Sequence, residues 1–520
     1  KAIPVWVKDK LFQKASLIKQ LELSLGKQIN WKDRLLFSEH HISHAASAFY
    51  PSPFRRAAIL TIDGVGEWTT TSIAVGDGRR LAVKKEIHFP HSLGLLYSAF
   101  THYLGFKVNS GEYKVMGLAP YGSPKYGELI KENLVKIAHD GSFHLDMSYF
   151  NFATGLTMVS KKFCDLFGAP PRTPESELSQ RDMDLAASVQ KVTEEIVLGI
   201  ARYIARETGE RNLCMAGGVS LNCVANGALL REGIFENIWV QPAAGDAGGA
   251  LGAALSAWHL HHKKSRSVSK KHDSMKGAYL GPSFNDYEIK TALEACGAKF
   301  LKLTDDELIE QVAGALAEDK AIGWMQGRME FGPRALGGRS IIANPGSPAM
   351  QKQLNLKVKY RESFRPFAPS IIREDLSEWF DIDRDSPYML FVAKVSKNKC
   401  RVLTQEEEEL FGIEKLYLSR SKIPAVTHVD YSARIQTVHK ETNPRYYAVI
   451  SKFKEKTGLP MVVNTSFNVR GEPIVCTPTD AFRCFMGTGL DVLAVGNFLL
   501  TKDEQNKDLV INYKDFYEND

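Results

Sequence analysis

The chain has 520 residues, a mass of 58.0 kDa and a net charge of +6 from 66 basic and 60 acidic residues. One hydrophobic core rarely grows past about 250–300 residues, so at least two domains are expected. A hydrophobic share of 44% and a charged share of 24% exclude a disordered or fibrous chain; the mild charge argues against wrapping a nucleic acid, and no apolar run approaches the ~18 residues of a membrane span.

Residues 1–37 read as an irregular lead-in and an amphipathic helix near Leu11–Leu25. Residues 57–75 read as strand, tight Asp63-Gly64 turn, strand. Helical patterns follow at about 92–105 and 182–207. The apolar run 211–218 ends in Ala-Gly-Gly-Val, a strand feeding a loop, and Ala243–Ala254 reads as a loop opening a closely packed helix. Strands alternating with helices predict an α/β fold. The basic, Ser-rich stretch His261–His272 reads as an exposed linker before a second α/β domain, and Glu406–Glu409 as a solvated helix face. The seven Cys are scattered, odd in number and without CxxC, which favours a reduced, cytoplasmic setting over a disulfide or zinc scaffold.

In Glu39-His-His-Ile-Ser-His44, His40 and His44 are four apart and share one helix face, while His41 points elsewhere. Two imidazoles so placed grip one metal ion when acids complete the set. Asp63 (Ile-Asp-Gly-Val-Gly) and Asp246 (Ala-Gly-Asp-Ala-Gly) stand in glycine-rich turns that leave a carboxylate open to a ligand. A bare HxxxH also fits ordinary, partly buried histidines. The His259, His261, His262 group has no acid beside it and reads as structurally neutral.

Glycine-rich loops are the second signal. Gly217 and Gly218 lead into Asn222 and Asn226 at a helix start, where backbone N–H groups can cradle a phosphate. The hairpin with Gly64 and Gly66 offers a similar cradle, and Asn109–Tyr121 is a third polar loop. Neither a P-loop nor a Rossmann GxGxxG occurs. Structural turns account for each loop taken singly.

The third signal is cationic. Arg328, Arg334 and Arg339 sit in one glycine-rich turn; Lys357, Lys359, Arg361 and Arg365 follow, then Arg434 after His428, and then Asn464, Ser466 and Arg470 after a short strand. Guanidinium suits planar, bidentate recognition of phosphate and carboxylate groups. Solvated surface cations are the plain alternative.

HHISHAASAFYPSP, LTIDGVGEWTTTSI, NSGEYKVMGLAPYG, AGGVSLNCVANG, QPAAGDAGGALGAAL, GPRALGGRSIIANP, FRPFAPS and VNTSFNVRGEP together resemble the O-carbamoyltransferases of the nodulation-protein-U and tobramycin/cephalosporin type. The resemblance covers nearly the whole chain. It implies an ASKHA (actin/sugar-kinase-like) first domain, similar to the tRNA threonylcarbamoyl transferase, over 1–262, a linker over 263–276 and a YrdC-like domain over 277–520. It implies that the YrdC-like domain makes carbamoyl adenylate from carbamoyl phosphate and ATP, releasing pyrophosphate, and that the first domain passes the carbamoyl group to a small acceptor hydroxyl, releasing AMP. His40, His44, Asp63 and Asp246 match the metal ligands, with Fe2+ or another divalent transition metal expected, and Mg2+ accompanies ATP. Gly217, Gly218, Asn222 and Asn226 match the nucleotide loop. Arg334, Lys359, Arg365, Arg434, Asn464 and Ser466 match the carbamoyl phosphate/ATP pocket.

Such enzymes normally open with a hairpin carrying a His-Asp-Ser-type phosphate turn. Residue 1 already lies inside the first domain, so a first domain truncated at its start is expected. A homodimer is compatible with the sequence. Threonylcarbamoyl-type tRNA modification and a non-catalytic nucleotide-binding scaffold are the alternatives; the modest charge disfavours the first and the intact residue set the second.

Overall fold

The computed structural model describes residues 11–26, 28–269 and 272–510. Residues 1–10 of the lead-in, Lys27, Lys270 and Lys271 of the linker and the last ten residues lie outside them.

The first half is built on a five-stranded sheet. Its strands are β1 (Arg56–Gly66), β2 (Thr69–Asp77) and β3 (Arg80–His88), then, after a small hairpin β4 (Val135–Ile137)/β5 (Phe143–Leu145), β6 (Asn212–Ala216) and β7 (Asn237–Val240). The order is β3-β2-β1-β6-β7, antiparallel through β3-β2-β1 and parallel through β1-β6-β7. β1 is buried on both faces, with Ala57, Ala58, Ile59, Leu60 and Ile62 fully covered, as its continuous apolar run requires. The helix Gln180–Thr208 is set by a capping box, Ser179 Oγ accepting from Asp182 N and Asp182 in return accepting from Ser179 N, and ends at Gly209 with φ +64°.

The second half carries a nine-stranded sheet of β8 (Leu301–Lys302), β9 (Ile322–Met325), β10 (Arg339–Ala343), β11 (Ala368–Ile372), β12 (Phe391–Lys394), β13 (Ser432–Val438), β14 (Met461–Ser466), β15 (Val492–Val495) and β16 (Phe498–Thr501). The order is β12-β13-β11-β14-β10-β9-β15-β16-β8. Separate apolar clusters form around this sheet, one with Ile341, Ile371 and Val463, the other with Ile342, Ile372 and Val462, the alternation expected of strands buried on two faces. Phe364, Ala368 and Tyr388–Phe391 of this half belong to the core of the first, so the two halves share one continuous apolar interface.

One expectation is corrected, and two are met with added detail. The predicted Asp63-Gly64 turn is not a turn: β1 runs on to Gly66, which pairs with Thr69, and the turn is Glu67-Trp68. A register shift between Ile62 and Gly66 aims Asp63 off the ladder, the usual use of a bulge beside a site. The helix Gln13–Leu25 forms, but none of its residues is buried. The linker is largely exposed yet anchored: the Arg266 guanidinium donates to the carbonyls of Phe49, Tyr50, Ser52 and Phe54 and lies 4.2 Å over the Phe49 ring.

Candidate active site

The helix His40–Phe49 and the helix Asp246–Ser256 pack face to face, because small residues line both and Gly252 approaches the Ser43 carbonyl too closely for any Cβ. That contact brings Asp246, at a helix start, to His40 and His44. His40 Nε2 and His44 Nε2 lie 3.0 Å apart, 2.8 and 3.0 Å from Asp63 Oδ2, and each 3.6 Å from Asp246 Oδ1. All four predicted ligand atoms fall within 4.8 Å of one another. Metal–ligand bonds of about 2.0–2.2 Å put neighbouring donors roughly 3 Å apart, so the set fits a first-row divalent ion. Two imidazole nitrogens facing each other and one carboxylate oxygen cannot all be satisfied by protons alone.

The electrostatics agree. Burial alone would raise the Asp63 carboxyl, but hydrogen bonds from His40, His44 and the Gly218 N–H hold it far below the usual carboxylate range. The Asp63 hydrogen bond raises His40. His41 stands apart as expected, buried against Thr61 and Ser72. His259 stacks on Tyr50 and contacts the Lys264 carbonyl, away from any acid cluster.

The glycine loop does more local work than a phosphate cradle. Gly217, at φ +91°, lies where a Cβ would meet the Ile62 backbone, and the Gly218 N–H donates to Asp63 Oδ1 at 3.1 Å. Asn222 caps the helix Cys223–Glu232 and exchanges hydrogen bonds with Gln190. Asn226 donates to the carbonyls of Ser220 and, across the interface, Leu390. Gly66 presses on the His40 ring, where a Cβ would sit 2.1 Å away, and the Gly64 carbonyl accepts from Ser92, which caps the next helix.

The cations divide. Arg334, Arg365 and Arg434 line one cavity of about 400 Å³ between the halves, with Tyr113, Gln190, Glu194 and Cys223 of the first half. Arg361 lines it too; it stood in the basic run of the sequence but outside the matched set. The Nε atoms of Arg334 and Arg434 are buried without a protein partner. Burial, then the neighbouring Arg434, pushes Arg334 down to about 9; burial and Arg365 push Arg361 down as well. Arg365 stacks 4.5 Å over Tyr113. Carboxylates stand by this group as well: Glu194 and Asp430 line the cavity, and Glu362 lies 3.6 Å from Arg365 and 3.2 Å from Lys114 of the first half.

Lys359, Asn464 and Ser466 do not line that cavity. The Lys359 ammonium is buried and donates to the carbonyls and side chains of Ser466 and Asn468. Asn464 donates to Ala335, Ser370 and Gln436 beneath the Arg334 turn and leaves its Oδ1 unpartnered. First-half contributors such as Gln190 and Glu194 carry one faint signal in sequence, their four-residue spacing on one helix face.

Comparison with known proteins gives the family. Residues 1–255 match the carbamoyltransferase N-terminus model and residues 313–502 the carbamoyltransferase C-terminus model. The chain belongs to the carbamoyltransferase family. It is 60% identical over 508 residues to an uncharacterized protein of Synechocystis sp., covering 97% of this chain and 82% of that one. It is 39% identical over 470 residues to nodulation protein NolO of Bradyrhizobium diazoefficiens (89% and 78% covered), and 30% identical over 490 residues to nodulation protein U of Rhizobium tropici (89% and 75%). Among solved structures, T. kodakarensis HypF aligns over 50% of this chain and 40% of its own at 16% identity, with a TM-score of 0.24. This carbamoyltransferase is thus a mixed α/β enzyme. No helix among its described residues is long and apolar enough to cross a membrane.

Proposed function

We propose that this carbamoyltransferase is an ATP-dependent O-carbamoyltransferase acting in the bacterial cytoplasm. The observation that carries the reading is the interface cavity in which Arg334, Arg361, Arg365 and Arg434 converge, outnumbering the lining carboxylates Glu194 and Asp430, a chamber suited to a polyanion. The antiparallel-then-parallel order of the first sheet supports an ASKHA-like domain over 1–262. The large mixed sheet with its cationic edge supports a YrdC-like domain over 277–520, with 263–276 as the connection.

Atom balance orders the chemistry. Water releases inorganic phosphate from carbamoyl phosphate, and a carbamate oxygen then displaces pyrophosphate from the α-phosphorus of Mg2+-bound ATP, giving carbamoyl adenylate. The guanidiniums hold both anions in line and offset charge developing on the phosphoryl oxygens. Lys359, Asn464 and Ser466 form the supporting floor. The acceptor hydroxyl oxygen then attacks the carbamoyl carbon, the bond to the AMP phosphate breaks, and the hydroxyl proton leaves to solvent.

His40, His44, Asp63 and Asp246 would hold a divalent transition metal, Fe2+ in this reading, whose chemistry when bound is Lewis-acid polarisation of a carbonyl oxygen. The loop 217–226 ties this cluster to the cavity: Gly218 bonds Asp63, and Cys223 lines the arginine chamber.

The test needs no acceptor. Protein, ATP, Mg2+ and carbamoyl phosphate are mixed, pyrophosphate is followed, and carbamoyl adenylate is sought by mass spectrometry. Carbamoyl-phosphate-dependent pyrophosphate that Arg365→Ala abolishes supports the reading. Folded, metal-loaded protein that releases none refutes it.

A further inference from the structure

The connection 326–338 joins β9 to β10, neighbouring antiparallel strands that a turn of a few residues could link. Instead it runs out to Arg334, which lines the arginine cavity, before returning to Arg339. Arg334 Nε is buried without a partner, so no contact at that atom steers the guanidinium. Its direction comes from the backbone that bears it.

That backbone is held by two buried charges that the chemistry above leaves unused. Glu330 is 6% exposed, and its Oε1 accepts from three backbone N–H groups of the turn: Leu336 at 2.7 Å, Gly338 at 2.6 Å and Arg339 at 3.2 Å. Convergent N–H groups of this kind form a nest, the concavity in which backbone binds anions such as phosphate. Here the chain's own carboxylate fills it. Arg339, fully buried, does the reverse: its guanidinium donates to the carbonyls of Gln326, Gly327 and Gly338, at the two ends of the connection. Burial pulls Arg339 down, and the Glu330 charge acts against that.

The other side of the turn is closed as well. Asn464 donates to the Ala335 carbonyl, Tyr279 and Gln436 to that of Leu336, and Trp324 to that of Gly337. Farther out, Gly332, at φ +138°, approaches the Pro242 carbonyl of the first half so closely that a Cβ would stand 2.9 Å from it. Arg334 therefore leaves a turn fixed on both sides, and one oxygen of Glu330 holds three of its N–H groups.

We propose that Glu330 is a positioning residue of the anion site: its carboxylate fills the nest at 336–339 and so aims Arg334 at a phosphoryl group in the cavity. Arg334 touches the anion, and Glu330 acts through it. This rests on the reading of the cavity as the polyanion chamber of an O-carbamoyltransferase.

The test is pyrophosphate affinity by isothermal titration calorimetry, with circular dichroism as the check of folding. The proteins are wild type, Glu330→Asp, Glu330→Gln, Arg334→Met and the double variant Glu330→Asp/Arg334→Met. Glu330→Asp keeps the charge but withdraws the oxygen by about 1.5 Å, one C–C bond. It should weaken pyrophosphate binding roughly tenfold, the scale of one misaligned charge-assisted hydrogen bond. Glu330→Gln keeps the reach and an oxygen acceptor and should stay within about threefold of wild type. With Arg334→Met already present, Glu330→Asp should cost less than about twofold, because the group it positions is gone. A carboxylate needed only to balance Arg339 predicts the opposite order, with Glu330→Gln worse than Glu330→Asp. Loss of more than about tenfold in Glu330→Gln, or equal effects of Glu330→Asp with and without Arg334, overturns the proposal, as does wild type that binds no pyrophosphate. The Glu330→Gln arm decides alone if Glu330→Asp does not fold. Carbamoyl-phosphate-dependent pyrophosphate release by the same wild-type preparation reports separately on the adenylation chemistry. Binding without release refutes that reading, and the comparison of variants still judges Glu330.

Discussion

Gly252 meets the carbonyl of Ser43 so closely that a Cβ at this position would stand 1.7 Å from the oxygen. The two helices in this contact carry Asp246 at one start and His40 and His44 at the other, so one missing side chain sets the spacing of three candidate ligands. Gly252→Ala must push the helices apart. The expected result is a loss of about 3 kcal/mol of stability in urea unfolding, in the range of overpacked cores, with weaker metal retention. Unchanged stability would show that the contact is not tight in solution.

The metal cluster predicts its own stoichiometry. Protein purified anaerobically and loaded with Fe2+ should hold about one equivalent by elemental analysis. His40→Ala and Asp246→Asn should each retain less than about a tenth of that, in line with the loss of one of four ligands. Asp246 is mostly exposed, so its variant tests ligation without burdening the core. Full metal content in Asp246→Asn would remove that residue from the ligand set.

The arginine cavity predicts opposite signs with and without an anion. Buried guanidiniums that repel one another destabilise the empty protein. Arg334→Met should therefore raise its unfolding free energy by about 1–3 kcal/mol. Pyrophosphate at a hundred times its dissociation constant should add about 2.7 kcal/mol to wild type and markedly less to the variant. A variant stabilised by pyrophosphate as strongly as wild type would contradict the role assigned to Arg334.

Glu362 is the counterweight between the halves. It lies 3.2 Å from fully buried Lys114 and 3.6 Å from both Arg365 and Arg470. Burial would raise its carboxyl, yet these cations hold it below the usual range. Glu362→Gln strands buried positive charge and should cost about 3 kcal/mol, whereas Glu175→Gln, on the exposed side of Arg470, should cost no more than about 1 kcal/mol. Thermal unfolding of the two variants side by side decides it.

Lys502 gives a pH signature. Its ammonium is buried against the carbonyls of Phe485 and Thr488 and over the Phe485 ring, and burial brings it down to about 8. An unfolded lysine keeps its proton to about 10.5, so between about pH 8 and 10.5 the unfolded chain binds more protons and this lysine makes stability rise with pH. Its destabilising contribution is full below pH 8 and gone above 10.5, and is on the order of 3 kcal/mol at most. Lys502→Met should be more stable than wild type at pH 7, and urea midpoints should draw together by pH 10.

Much of the site was legible because its chemistry is local. The four-residue spacing of His40 and His44 fixes a shared helix face wherever that helix packs, and acids in glycine-rich turns are open by construction. The helices at 93–103 and 180–208 and the strand at 212–216 follow from apolar period and capping, which are properties of neighbours in the chain.

Tertiary structure decided what depended on distant partners. Pairing of Gly66 with Thr69 moved the hairpin turn from Asp63-Gly64 to Glu67-Trp68 and, through the bulge, aimed Asp63 at the histidines. Closure of the interface chose Arg334, Arg361, Arg365 and Arg434 from a longer run of cations and joined them to Gln190 and Glu194, while Lys359 turned to the Ser466–Asn468 backbone. The sequence by itself determined which chemical groups were present and their local geometry. Which charges share one buried cavity depends on side chains more than a hundred residues apart, and only packing of the two halves fixes that.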